Sequence, residues 1–381
     1  MKYLKLTVFL SFLFVLARFC AIPVQTCFAQ DDTDSEQTEI QLPETEYIQG
    51  TIIEVLEEKV LEFQGQSQKY QKLKILVTKG SLRDEEIIVE NGASPTAQVV
   101  SYHKGDNVMI SFSKGTDGTD IFYITDYIRT PGIVTLFIFF IIISLIVGSK
   151  KGLFSLISMA ISFIILFTFV LPQIQMGKDP VLIAILASII IVPVTFYLSH
   201  GFEKKTTVSV FGTFIALVIT GILSSIFVNM THLTGTSSED AMFLQILEGD
   251  QYNLKGLLLA GIIIGTLGVM DDITVSQTAI VYQLHDIKNN LSFSALFKRS
   301  IQIGKDHIAS MINTLVLVYT GASLPFLLLF INNPRPFSEL INFEFITTEI
   351  VRTLVGSIGL ILAVPITTYL ACFFVKRRVA T

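Results

Sequence analysis

From residue 131 to residue 375 the chain alternates long apolar stretches with short polar hinges, whereas 47–127 follows a different pattern. The apolar stretches run 131–148, 153–171, 180–199, 206–229, 255–284, 308–331 and 350–375. A helix of about 20 apolar residues crosses a hydrocarbon core about 30 Å thick. The apolar positions are continuous rather than alternating. That selects helices over barrel strands as the spanning form, because in lipid every backbone polar group needs an internal partner. The pattern predicts an α-helical polytopic membrane protein whose transmembrane domain occupies 128–381 and crosses seven times.

Residues 47–127 carry short β-branched runs at Ile48–Val55, Lys72–Val77, Glu86–Val89, Val108–Phe112 and Ile121–Thr125. Turn signals separate them, among them Asn91-Gly92, Lys104-Gly105-Asp106-Asn107 and Gly115-Thr116-Asp117-Gly118. Such punctuation predicts a small all-β domain, an OB-like or SH3-like five-stranded barrel. Ahead of it, 30–46 is acidic and rich in Ser and Thr, the composition of a solvated linker. Residues 1–29 begin with Lys2 and Lys5 and an apolar run from Leu6 to Leu16, and end in Cys27-Phe28-Ala29. This reads as a signal peptide cut before Gln30, or as an uncleaved signal anchor.

Charge fixes the expected orientation. The basic clusters are Lys150-Lys151, Lys204-Lys205, the group of Lys288, Lys298, Arg299 and Lys305, and Lys376-Arg377-Arg378. All fall on one side if every stretch crosses once, and the positive-inside rule makes that side cytoplasmic. Glu239, Asp240, Glu248 and Asp250 then face outward with the β domain. A signal segment places the β domain outside independently. A multi-pass protein of the plasma membrane follows, with its C-terminus in the cytoplasm.

Composition mainly excludes. Charged residues make up 15% of the chain and the net charge is −5, so the basic footprint of a nucleic-acid binder is absent. Cys20, Cys27 and Cys372 are the only cysteines, and none lies in the β region. No phosphate-cradling GxxxxGK[ST], no HExxH and no GxSxG occurs, so neither an enzyme nor a bound cofactor is expected.

The stretch 255–284 carries the chemistry. Thirty helical residues reach about 45 Å, longer than the hydrocarbon core. Asp271-Asp272 interrupts the apolar run from Leu257 to Met270, and polar Thr274, Ser276 and Gln277 follow. Either the helix ends near Asp272, which would then cap a second segment, or it breaks and re-forms. Gly261, Gly265, Gly268 and Asp272 share one face, and small residues at that spacing admit a neighbouring backbone. An ionisable group inside a membrane is a site hypothesis by default. In the next stretch Ser310, Asn313, Thr314, Thr320 and Gly321 share a face. Counting in from His307 puts Asn313 at a depth close to that of the acidic pair. Asp271, Asp272, Asn313 and Thr314 are therefore the expected binding set, and Gly261, Gly265, Gly268 and Gly321 the expected packing set. Asp306 and His307 are expected to cap a helix at the interface. Pro193 and Pro365 predict kinks.

These residues also carry a resemblance. The run Gly261-Ile-Ile-Ile-Gly265-Thr-Leu-Gly268-Val-Met270-Asp271 is followed by Arg299-Ser300, Gly304-Lys305-Asp306, Met311-Ile-Asn313-Thr314-Leu315, Tyr319-Thr-Gly321 and Leu324-Pro325. In this order they resemble the YibE/F family of bacterial multi-span membrane proteins, with a β-type external domain before the first span. The resemblance implies fold and topology and no substrate. Asp272 stands where relatives tend to carry an apolar or small residue, which moves the expected role toward Asp271.

The functional expectation is a permease-type protein for a small solute or cation, with a polar site in the cytoplasmic third of the bilayer. The alternative is a non-transporting scaffold whose β domain binds a cell-envelope partner, or which self-associates. The partners are the lipid bilayer and an unidentified solute, and no nucleic acid.

Overall fold

The computed structural model describes residues 45–63, 66–95, 99–115, 118–331 and 335–377. Residues 1–44, on which the expected signal segment and most of the expected acidic linker fall, lie outside the described residues. The chain forms two units, one running to Ile143 and one from Ser144 onward.

The first unit is a five-stranded antiparallel sheet of β1 (Glu46–Phe63), β2 (Gln66–Lys79), β3 (Glu86–Asn91), β4 (Asn107–Lys114) and β5 (Asp120–Tyr127). The strand order is β3-β2-β1-β4-β5. All five expected strands exist, but the sheet is open: β3 and β5 are its edges, and the order shows no hydrogen-bonded closure. β1 and β2 outrun the expected ranges because they extend as a two-stranded ribbon, pairing Phe63 with Gln66 and Lys59 with Tyr70. Solvent reaches much of that ribbon, so its sequence carries little of the apolar alternation that marks a half-buried strand.

The core is the inward alternation of Ile48 and Ile52 on β1, Leu73, Ile75 and Val77 on β2, Ile87 and Val89 on β3, and Val108 and Ile110 on β4. One polar residue, Gln71, is buried among them. It accepts from the Tyr102 backbone N–H at 2.8 Å and donates from Nε2 to the Tyr102 carbonyl at 3.0 Å. The pair of bonds offsets the desolvation of the amide and ties the β3–β4 connection to the sheet.

The second unit is helical. α1 (Thr130–Ile165) covers the first expected span and runs into the second. Within it Ser149 takes φ 49°, ψ −130°, outside the helical region, immediately before Lys150-Lys151. A π-helical turn (Leu166–Val170) and α2 (Leu171–Gln175) complete this segment. Next come α3 (Pro180–His200), capped by the Asp179 carboxylate on the Leu182 N–H, and α4 (Lys204–Met230). The short α5 (Glu239–Glu248) precedes α6 (Leu254–Ile287) and α7 (Phe293–Ala322). α8 (Leu324–Ile331), α9 (Phe337–Leu340) and α10 (Glu344–Arg377) complete the chain. Among the described residues, five helical segments are long and apolar enough to cross a membrane: Thr130–Gln175, α3, α4, α6 and Glu344–Lys376.

Three boundaries differ from expectation. α6 neither ends nor breaks at Asp272. It runs for 34 residues through both aspartates, and its cap is Asn253, whose Oδ1 accepts from the Gly256 N–H at 2.8 Å. The reading of Asp272 as a cap therefore fails. α7 starts at Phe293 on a Ser292 cap, so Asp306 and His307 lie inside a helix rather than at its start. The expected span 308–331 is interrupted at Ser323, which separates α7 from α8. Because α7 ends at Ala322, any window long enough to cross takes in the polar Lys305-Asp306-His307 stretch, and α7 is not among the five apolar helices.

Candidate functional site

The helical unit is organised about α6, which packs against α3, α4, α7 and α10. Where α4, α6 and α10 meet, the interface contains a seam of buried polar side chains as well as apolar residues. α4 contributes Ser209, Thr213, Thr220 and Ser224, at spacings of four, seven and four that keep one face. α6 contributes Thr266, Thr274, Gln277 and Thr278, and α10 contributes Ser357, Thr367 and Thr368.

The seam is cross-linked at two levels. Thr213 Oγ1 lies 2.8 Å from Thr274 Oγ1, and Ser209 Oγ donates to the Thr274 carbonyl at 3.3 Å, joining α4 to α6. Further along α6, Gln277 Nε2 donates to the Ser300 carbonyl of α7 at 2.9 Å and to Thr368 Oγ1 of α10 at 2.7 Å. Two acceptors on one nitrogen fix the amide orientation, since a backbone carbonyl must receive an N–H. Three helices thus converge on one side chain.

Close approach depends on glycines. A Cβ on Gly304 of α7 would sit 2.7 Å from Val364 Cγ1 and 2.8 Å from Gln277 Oε1. One on Gly359 of α10 would overlap Thr220 Oγ1 and lie 3.2 Å from Met270 Cε. With Gly212 of α4, where a Cβ would lie 2.5 Å from Thr367 Oγ1 of α10, these are packing glycines of the bundle. The expected set is placed differently. Gly261, Gly268 and Gly321 have nothing within 4 Å of a Cβ, and Gly265 only the Tyr319 hydroxyl at 4.0 Å. Their stripe lies on the side of α6 turned away from Ile262, Ile263, Thr266, Met270 and Ile273, the buried face. Among the described residues that Tyr319 hydroxyl, on α7, is the one atom within reach of a Cβ on this stripe. α6 is apolar nearly all round, so periodicity did not distinguish its two faces.

The candidate binding residues separate likewise. Asp271 is half-buried, and its Oδ1 is enclosed without a hydrogen-bond partner. Its carbonyl accepts from Thr274 Oγ1 at 3.4 Å, which links it to the α4–α6 level of the seam. Asp272, one residue and about 100° further round the helix, is exposed. Asn313 and Thr314 are also exposed, and Thr314 Oγ1 is turned onto the Ser310 carbonyl at 2.9 Å. The face of α7 turned to the bundle carries instead Ile308, Met311 and Leu315, which line a small apolar gap with Ile273 and Leu360.

The seam was missing from the sequence reading except for Thr274 and Gln277. Its available signal was the recurrence of Ser and Thr at helical spacing in three separate apolar stretches. Several hydroxyls bond the carbonyl four residues back, as Thr220 does to Ala216 at 2.8 Å and Thr266 to Ile262 at 2.7 Å. Others, among them Ser224, Ser300, Ser357 and Thr367, are buried and find no partner. An unpaired buried hydroxyl costs about 1–3 kcal/mol. Among the described residues there is no cluster of three or more His, Cys, Asp or Glu able to hold a metal.

A bundle of long apolar helices around a polar seam, with a small antiparallel sheet before it, defines a multi-pass helical membrane protein. The chain belongs to the YibE/F-like protein family, whose model matches residues 136–377, more than half of its length. No curated protein and no solved structure matches it.

Proposed function

We propose that the protein is a permease-type carrier of a small solute or cation, with Asp271 as the charged group of its site and the α4–α6–α10 seam as its polar lining. The observation that carries this reading is the enclosed, unpartnered Oδ1 of Asp271 on a helix that continues unbroken past it. A carboxylate costs too much inside a membrane to persist without use, and such groups mark ion and substrate paths. The unpaired hydroxyls at Ser300 and Thr367 support the same reading, because they leave neutral oxygen acceptors free for a ligand. In this reading the turn at Ser149 divides Thr130–Gln175 into two spans, and α7 with α8 forms another, giving seven. The β domain then lies outside the plasma membrane and the C-terminus inside. A five-stranded barrel of this domain would close between its edge strands, β3 and β5. The test is flux into vesicles reconstituted with wild-type protein or Asp271→Asn, across a panel of ions and small metabolites. Loss of flux at unchanged folded protein supports the reading, and equal flux rejects it.

A second reading, a scaffold that engages a cell-envelope partner, draws on the β domain. Tyr47 and Tyr123 are exposed, and both pair in register with Ser111, one from each side. Deleting residues 45–127 separates the two: a scaffold loses all activity, and a permease keeps its flux.

A further inference from the structure

α5 is ten residues long, so it extends about 15 Å and cannot cross a bilayer. It nevertheless exposes Met242, Phe243, Ile246 and Leu247 at 53%, 61%, 77% and 63%. Their spacing of i, i+1, i+4 and i+5 gathers them into an arc of about 140° on one face, at about 100° per residue. Gln245, exposed, points away from that arc, whereas the exposed Asp240 borders it and Glu239, the first residue of the helix, falls within its angular range at the N-terminal end.

The chain fixes where this face is held. α5 joins the end of α4 at Met230 to the start of α6 at Leu254, and both of those helices are apolar enough to cross the membrane. Its approach is pinned, because the Glu344 carboxylate at the start of α10 accepts from the Thr234 and Gly235 N–H groups at 2.7 and 3.0 Å. Its exit is pinned by Lys255 Nζ, which donates to Asn229 Oδ1 at the end of α4 at 2.7 Å. Both ends of the α5 segment are therefore tied to the same ends of three long apolar helices.

We propose that α5 is an interfacial helix, its Met242, Phe243, Ile246 and Leu247 face seated in the lipid leaflet where α4 ends and α6 begins. A short amphipathic helix with one apolar face takes that position when held at the boundary of headgroups and acyl chains. No lysine or arginine occurs from Thr231 to Tyr252. Seating therefore rests on apolar insertion rather than attraction to anionic headgroups, and neutral lipid suffices. The inference depends only on the membrane placement of α4 and α6 and is independent of transport.

The chain contains no tryptophan, so one introduced residue reports alone. Full-length Phe243→Trp and Ile246→Trp, with Gln245→Trp on the polar side, are reconstituted in phosphatidylcholine vesicles with and without brominated phosphatidylcholine. The expected result is blue-shifted emission at 243 and 246, at least twofold quenched by the bromolipid and protected from aqueous iodide. Residue 245 should show the reverse. Iodide quenching at 243 and 246 equal to that at 245 would place the face in water. Protection from both quenchers would place protein over it. Either result overturns the proposal. Two reporters on the face guard against one variant that fails to fold, and vesicles lacking anionic lipid test the charge argument in the same experiment.

Discussion

Gln277 Nε2 donates to Thr368 Oγ1 at 2.7 Å, and Thr368 passes its own proton to the Val364 carbonyl at 2.6 Å. The amide therefore meets a hydroxyl oriented to accept, while its second N–H holds the Ser300 carbonyl. Removing the side chain in Gln277→Ala breaks two interhelical bonds and loosens α6 from α7 and α10 together. Polar contacts between membrane helices are worth about 0.6–1.7 kcal/mol each, so the expected loss is about 1–3 kcal/mol. Thermal unfolding in detergent measures it. Thr368→Val, which removes only one of the two bonds, should cost less than Gln277→Ala.

Gly359 and Thr220 offer a coupled test. A methyl at 359 overlaps Thr220 Oγ1, and both residues belong to helices whose backbones are fixed by packing. Gly359→Ala is expected to destabilise by about 1–3 kcal/mol, the usual cost of overpacking a tight core. Thr220→Ala removes the overlapping oxygen, so the double variant should recover part of the loss, a favourable coupling on a double-mutant cycle. Gly268→Ala, facing open space, should be neutral or gain up to about 1 kcal/mol from helix propensity.

The contrast between Gly359 and Gly268 shows where sequence reading stopped. The strands, the long apolar helices and the family were legible, because burial in lipid and alternation in a sheet both leave a periodic trace. The face of α6 that packs was not. In lipid both faces of a helix are apolar, so the stripe of Gly261, Gly265 and Gly268 and the buried stripe of Thr266, Met270 and Thr274 are equally plausible contacts until a partner is seen. Counting the helix rise puts Asn313 and Thr314 level with Asp271, but such a count says nothing about rotation, and α7 turns its apolar side to the bundle. Thr213 and Thr220 went unnoticed because single hydroxyls in apolar runs satisfy themselves on the carbonyl one turn back, and only the facing helix reveals a seam.

The β domain should show an acid-dependent stability that traces to Asp126. Its carboxylate accepts from Arg129 Nη1 at 2.6 Å and from the Tyr127 N–H at 2.7 Å. The arginine bond first, and then the backbone bond, hold its pKa below the ordinary aspartate value of 3.8. A carboxyl depressed in the folded state adds stability above its unfolded value, and that stability is lost as pH falls through the folded value. Thermal melts of the β domain followed by circular dichroism should therefore decline below about pH 4. Asp126→Asn should be less stable than wild type near neutrality and show a shallower decline. An unchanged acid limb would assign the decline to other carboxylates.

Asp271 and Asp272 are adjacent in sequence and opposite in circumstance, which makes them the sharpest test of the transport reading. The exposed carboxylate of Asp272 lies on the open glycine stripe, free to reach water or headgroups. Asp271 has an enclosed carboxylate oxygen, and its backbone carbonyl accepts from Thr274 of the seam. If the seam lines the path, Asp271→Asn should remove flux by tenfold or more, whereas Asp272→Asn should change it by less than about threefold. A tenfold change corresponds to about 1.4 kcal/mol, within reach of losing one charged contact. Thr213→Val should fall between them, because it removes the hydroxyl that meets Thr274 at 2.8 Å and preserves the shape of the helix face. Equal sensitivity at 271 and 272 would shift the site to the exposed stripe and to whatever packs there. Insensitivity at both would leave the carboxylates structural and favour the scaffold.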